Sequence, residues 1–186
     1  MSNIIRGIDH MGVTVPDMEE ATEFFRKAFD AKVVYDSKRP EEGAMGGEEI
    51  EKILGLKKGS EVVHMRLVSI GESISIELFK YQGINQRRPA NPDDLGVQHF
   101  AVYVDNMEEA VKKFDQAGGY LFTKPTKILN EIEGNDETNQ FVYASTPWGL
   151  VIELITYPHG IDYPNNSKAK RFTPPKRKNC NIEQTR

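Results

Sequence analysis

The stretch "HMGVTV" alternates large apolar residues with small or polar ones. Met11, Val13 and Val15 fall on one side, His10, Gly12 and Thr14 on the other. A period of two predicts a half-buried strand. Immediately afterwards the period lengthens. In "MEEATEFFRKAF" the apolar residues trace one helical stripe, Asp17 stands at the N-cap position, and glutamates fill the first turn, where the helix dipole favours them. This predicts a helix over 18–29. Three β-like runs follow: "AKVVYD", "SEVVHMRLVSI" and "ISIELFKY".

The same order then recurs. In "VQHFAVYV", Phe100, Val102 and Val104 form the apolar side, with His99, Ala101 and Tyr103 opposite. Asn106 is the next N-cap, and a helix over 107–117 stops at the glycines of "QAGGY". The runs "GGYLFTKP", "NQFVYAST" and "GLVIELITY" read as strands. Shifting the chain by the 89 positions that separate His10 from His99 superposes Gly7 on Gly96, Phe25 on Phe114, and one "MEEA" on the other. So many matches predict a duplicated β-α-β-β-β unit, hence an α+β fold of two tandem βαβββ modules.

Between the halves, "QGINQRRPANPDDLG" reads as a linker, with the boundary near Asn91. The first module is expected over 1–90 and the second over 91–158. An insertion at 37–59, with a short helix in "GEEIEKILGL", reads as a surface loop or a mobile lid. Residues 159–186 carry seven lysines or arginines against Asp162 and Glu183. This basic tail is expected to be flexible or draped over the body.

Composition adds limits rather than identity. With 186 residues and 38% hydrophobic content, the chain can bury a core. A formal charge of -4 argues against a nucleic-acid-binding surface over the whole molecule. There is no apolar run of bilayer length and no signal-peptide core, so no membrane partner is expected and the cytoplasm is the expected location. Cys180, the single cysteine, is expected as an exposed thiol in the tail.

The last strand of each module carries an acid in one frame, "IEL". Ile76 and Leu78 are in phase, as are Ile152 and Leu154, leaving Glu77 and Glu153 on the other side. A carboxylate in an apolar strand is costly unless solvated, paired or bound to a cation. Alone, a strand glutamate usually faces water and a strand histidine is usually a satisfied structural residue. Repetition of His10, Glu77, His99 and Glu153 in matching frames favours a metal site, because two imidazoles and two carboxylates suit a divalent ion with positions left open. His64 and Arg66, in phase with each other, are candidate substrate contacts, the plain alternative being a solvated strand face. Phe141 and Tyr143 are candidates for an apolar wall. Trp148, between Pro147 and Gly149, is expected to pack at a hairpin.

The paired modules with "IDHMGVTV", "IELFKY", "VQHFAVYV" and "VIELITYP" resemble the vicinal oxygen chelate superfamily, which includes glyoxalase I, methylmalonyl-CoA epimerase and extradiol dioxygenases. The resemblance covers Gly7 to Tyr157. It implies a curved, cup-shaped mixed sheet and one divalent metal ion, Ni, Co, Zn, Mn or Fe, on His10, Glu77, His99 and Glu153. It further implies an isomerase or lyase of glyoxalase I or epimerase type, with Glu153 and Glu77 as catalytic bases and proton transfer next to a carbonyl through a metal-bound enediolate. The implied partners are a small-molecule substrate with neighbouring oxygens and a second copy of the chain, as a homodimer. The competing readings are an Fe(II) extradiol dioxygenase and a ligand-sequestering resistance-type protein. Extradiol enzymes use two histidines and one glutamate, so the acid at position 77 counts against oxygen chemistry. Epimerases usually carry glutamine there.

Overall fold

The computed structural model describes residues 4–134 and 136–175; Cys180 lies outside the described residues. The first half runs β1 (His10–Thr14), α1 (Met18–Phe29), β2 (Lys32–Lys38), a short 3-10 turn, α2 (Glu48–Leu54), β3 (Glu61–Ser69) and β4 (Ser75–Gln82). The second runs β5 (His99–Tyr103), α3 (Met107–Gln116), β6 (Tyr120–Leu121), β7 (Thr126–Lys127), β8 (Gln140–Ser145) and β9 (Val151–Thr156). One sheet has the order β1-β4-β3-β2, the other β5-β9-β8-β6 with β7 also on β8. In each, the first and last strands are parallel neighbours and the remaining pairings are antiparallel. The fold is α+β with two open, mixed sheets. Among the described residues no helix is long and apolar enough to cross a membrane.

The helix starts follow from their caps. Asp17 Oδ1 accepts from the Glu19 and Glu20 amides at 3.0 and 3.1 Å, and Asn106 Oδ1 accepts from the Glu109 amide at 3.1 Å. One expected strand is broken. Only Tyr120–Leu121 of "GGYLFTKP" form a strand, β6, and pairing with β8 resumes as β7 after Pro125, which has no N–H to give the ladder. The insertion carries α2 and is pinned to the sheet, since Met45 and Val62 exchange backbone hydrogen bonds of 2.9 and 2.7 Å.

A single core spans both halves. It holds Val13 and Leu78 from one sheet, Ile152 and Leu154 from the other, and the apolar stripes of α1 and α3. Phe24 and Phe29 of α1 meet Phe114 of α3 with ring centroids 5.3 and 5.8 Å apart, and Trp148 packs edge-on against Phe24 at 5.4 Å. Gly119 permits this arrangement: a Cβ there would lie 2.1 Å from Phe114 Cε1. Gly119→Ala is therefore expected to cost about 1–3 kcal/mol through overpacking. In a chain of this length that lowers the melting temperature by roughly 2–4 °C per kcal/mol, readable by calorimetry.

Candidate functional site

Strand register explains how each histidine reaches its carboxylate. Glu77 pairs with Gly12, and Glu153 pairs with Ala101. These are repeat-related positions holding the two smallest side chains, so the histidine two residues earlier can lean across. His10 Nε2 lies 3.3 Å from Glu77 Oε2, and His99 Nε2 lies 3.4 Å from Glu153 Oε2. Both spacings exceed the usual N–H···O distance of about 2.9–3.0 Å. They fit two adjacent ligands of one ion, since metal–ligand bonds of about 2.0–2.2 Å at the tetrahedral angle put the donors roughly 3.3–3.6 Å apart. The donor set, one imidazole nitrogen and one carboxylate oxygen in each pair, suits a borderline divalent metal.

What surrounds the pairs differs. Asp9 Oδ2 lies 2.8 Å from His10 Nδ1, which makes Nδ1 the protonated nitrogen and leaves the Nε2 lone pair turned toward Glu77. The same contact raises the His10 pKa, opposed by burial. The repeat places Gln98 where Asp9 stands, and His99 Nδ1 is buried with no hydrogen-bond partner among the described residues. Tyr143 instead sets its ring edge-on to His99 at 5.0 Å, with Phe141 5.8 Å beyond it. Around Glu77, Phe79 and Tyr81 stack with ring centroids 5.8 Å apart. Burial pushes the Glu153 carboxyl upward and the nearby His99 pulls it back. Burial, then the neighbouring carboxylates, raises Tyr143 beside Glu153 and Tyr81 beside Glu77.

The two pairs sit on different sheets, at the edges formed by β1 and β5. Two grooves, of about 1480 and 730 Å³, run along the seam between these edges, and Met11 and Phe100 line both of them. Met11 follows His10 and Phe100 follows His99, so the two histidine-bearing strands border the same seam, although of the four pair residues only His99 lines a groove. Each pair stays separate: among the described residues no three His, Cys, Asp or Glu side chains gather within reach of a single ion. Farther along β9, Arg171 from the tail pairs with Glu133 and lies over the Tyr157 ring at 5.2 Å, while Tyr157 Oη and Thr173 Oγ1 are 3.2 Å apart. The described part of the tail is thus draped over the second sheet.

His64 and Arg66 require a correction. Arg66 pairs with Leu78, a core residue, whereas Leu67 pairs with Glu77. The two polar side chains therefore point under α1, away from the seam. Arg66 Nε donates to Asp36 Oδ1 at 2.7 Å, and its Nη1 donates to Glu19 Oε2 and Thr22 Oγ1, both at 3.0 Å. His64 Nε2 is 3.1 Å from the same Asp36 oxygen. This is a structural network, only 9% exposed at Arg66. Arg66→Met would leave Asp36 without its cation and is expected to cost about 2–3 kcal/mol, seen as a lower denaturation midpoint. The Arg66 hydrogen bond holds the Asp36 carboxyl below its usual range. A depressed folded-state pKa contributes stability above the unfolded value of about 3.9, lost as pH falls through the folded value. The gap between Arg66→Met and the parent is thus expected to narrow below about pH 4.

The family model described as Glyoxalase/Bleomycin resistance protein/Dioxygenase superfamily matches residues 7–154. A 2-epi-5-epi-valiolone epimerase from Actinomyces sp. is 27% identical over 174 residues, covering 90% of this chain and 88% of that protein. Among solved structures, a glyoxalase family protein from Bacillus cereus aligns with a TM-score of 0.63 at 18% identity, over 83% of this chain and 95% of its own. Glyoxalase I from Zea mays aligns with a TM-score of 0.55 at 16% identity, over 79% of this chain and 43% of its own.

Proposed function

Because the chain belongs to the glyoxalase/bleomycin resistance protein/dioxygenase superfamily, with its cup-shaped sheet fold, we propose that it is a divalent-metal-dependent isomerase or lyase of epimerase or glyoxalase I type. It moves a proton beside a carbonyl in a small substrate with neighbouring oxygens. One observation carries this reading: two repeat-related His–Glu pairs, with Nε2–Oε2 distances of 3.3 and 3.4 Å, stand on the edge strands β1 and β5 and their parallel neighbours β4 and β9. His10, Glu77, His99 and Glu153 would hold the ion, which requires the two separate pairs to draw together around it. A bound ion, Ni, Co, Zn, Mn or Fe, supplies Lewis acidity that lowers the cost of removing a C–H proton beside a carbonyl.

The chain's own residues divide the rest of the work. Glu153 turns Oε2 toward His99, leaving Oε1 to take the proton. Burial raises the basicity of this carboxylate, which favours proton uptake. Glu77, on the other sheet, returns a proton to the opposite side of the reacting carbon, the requirement for inverting a stereocentre. Tyr143 and Phe141 form the wall beside His99 and exclude water from that side. The relationship to an epimerase supports inversion over ring cleavage. Two copies are proposed to associate as a homodimer. Val33, Val34 and Tyr35, half exposed on edge strand β2, support such an interface, and sedimentation should give twice the chain mass.

The test is deuterium exchange. The protein is stripped with chelator, reloaded with each ion in turn, and incubated in D2O with 2-epi-5-epi-valiolone and other small hydroxyketones. Exchange at the carbon beside the carbonyl is expected with reloaded protein only; its absence with every ion, or its persistence after stripping, would overturn the reading. Mixing His10→Ala with His99→Ala chains checks whether one chain completes the site. The strands carrying both histidines border a seam within one chain, so no recovery is expected, whereas restored exchange would place the site between copies.

A further inference from the structure

We propose that the smaller groove beside His99 receives an oxyanion, a phosphate or carboxylate carried by the substrate, on Lys57, Arg87 and Arg88. Calling that ligand a substrate rests on the proposed function; the binding itself does not. The groove has a volume of about 730 Å³, within the range of small-molecule sites. Tyr81 and His99 from the two carboxylate-bearing faces line it, with Trp148.

Charge makes this groove unusual. The chain has 28 acidic and 24 basic residues, yet no aspartate or glutamate lines the groove, while Lys57, Arg87 and Arg88 all do. The larger groove differs, mixing Asp9, Glu72 and Glu109 with its cations. Of the cations elsewhere, Arg26, Arg66, Lys80, Lys113, Lys127 and Arg171 each pair with a carboxylate. Among the described residues no ion pair or hydrogen bond involves the side chain of Lys57, Arg87 or Arg88. Three like charges along one concave wall repel each other and raise the local concentration of anions. A guanidinium fork matches the paired oxygens of phosphate or carboxylate.

The linker holds the arginines in place. Pro89, next in the chain, sits over Gly149 in the turn after Trp148; a Cβ at Gly149 would lie 3.5 Å from Pro89 Cδ. Lys57 follows Gly55, which ends α2 in the left-handed conformation at φ 65°. The insertion, between β2 and β3, and the linker, after β4, thus deliver their cations to one cavity. Neither segment contributes to the His–Glu pairs.

Trp148 is the single tryptophan of the chain, so its fluorescence reports on this groove. The full-length protein is titrated with inorganic phosphate, acetate and glycerol at constant ionic strength, by fluorescence and by calorimetry in parallel. Phosphate is expected to saturate and glycerol to give no response. Saturation by acetate as well identifies a general oxyanion site, and saturation by phosphate alone a phosphate site. Arg87→Gln/Arg88→Gln, at exposed positions, is expected to weaken phosphate binding at least tenfold while leaving the melting curve unchanged. No saturable phosphate response by either method, or equal affinity in the double variant, overturns the proposal. The titration contains no hydroxyketone and reads no turnover. Phosphate binding without deuterium exchange would defeat the proposed function alone, and exchange without phosphate binding would defeat this inference alone.

Discussion

Glu153→Gln is expected to slow deuterium exchange and epimerisation by about 10²–10⁴-fold at saturating metal, the usual range for removing a general base. Glutamine keeps the shape and one carbonyl oxygen that can still face His99 Nε2, while removing the proton acceptor. The side chain is only 13% exposed, so water has poor access to take over the role. A drop in turnover with little change in KM is expected, because the lost interaction operates only while the proton is moving. Unchanged turnover at saturating metal would remove Glu153 as the base. Glu77→Gln separates the two carboxylates. If Glu77 returns the proton from the opposite side, this variant retains exchange, with Glu153 taking and replacing the proton on one side, but loses inversion. Equal loss of exchange and inversion would assign Glu77 to metal binding alone.

Phe114→Ala is expected to be the most damaging change outside the site, costing about 3–5 kcal/mol. The side chain is fully buried, and its ring makes aromatic contacts with both Phe24 and Phe29 across the boundary between the halves. Such contacts add about 0.5–1.5 kcal/mol beyond the buried area. A fall in melting temperature of roughly 10 °C or more follows for a chain of this size. The position also couples stability to function. Packing of α1 on α3 sets how the two sheets face each other, so Phe114→Ala is expected to weaken metal binding although no ligand is touched. Preserved metal affinity in a destabilised variant would show that the halves keep their arrangement without this contact.

Much of the architecture was readable because its causes are local. Asp17 and Asn106 cap helices through amides two or three residues away, and the limits of α1 follow directly from the apolar stripe. Strand parity put Glu77, Glu153 and both histidines on the faces opposite Val13, Leu78 and Leu154. The reading of His64 and Arg66 as substrate contacts failed for a different reason. His64 and Arg66 were in phase with each other, but parity does not say which side of a strand meets the helix. Arg66 proved able to lie under α1 because Asp36, Glu19 and Thr22 surround it there. Asp9 carried a weaker signal, an acid adjacent to the first histidine with glutamine at the repeat-related position, and it became meaningful only through its 2.8 Å contact with His10.

By itself the sequence determined the two βαβββ units, their helix limits and the family to which the "IDHMGVTV" and "IEL" frames point. These depend on periodicities of two and 3.6 residues and on short capping contacts, all of which act within a few positions along the chain. Tertiary structure alone decided that each histidine meets its glutamate at 3.3 or 3.4 Å, that the edge strands carrying the histidines border one seam, and that Lys57, Arg87 and Arg88 share an acid-free cavity. His10 and Glu77 stand far apart in the chain, as do His99 and Glu153, and their meeting depends on strand register. The shared seam depends on the packing of α1 against α3, and no local pattern encodes the distance between two sheets.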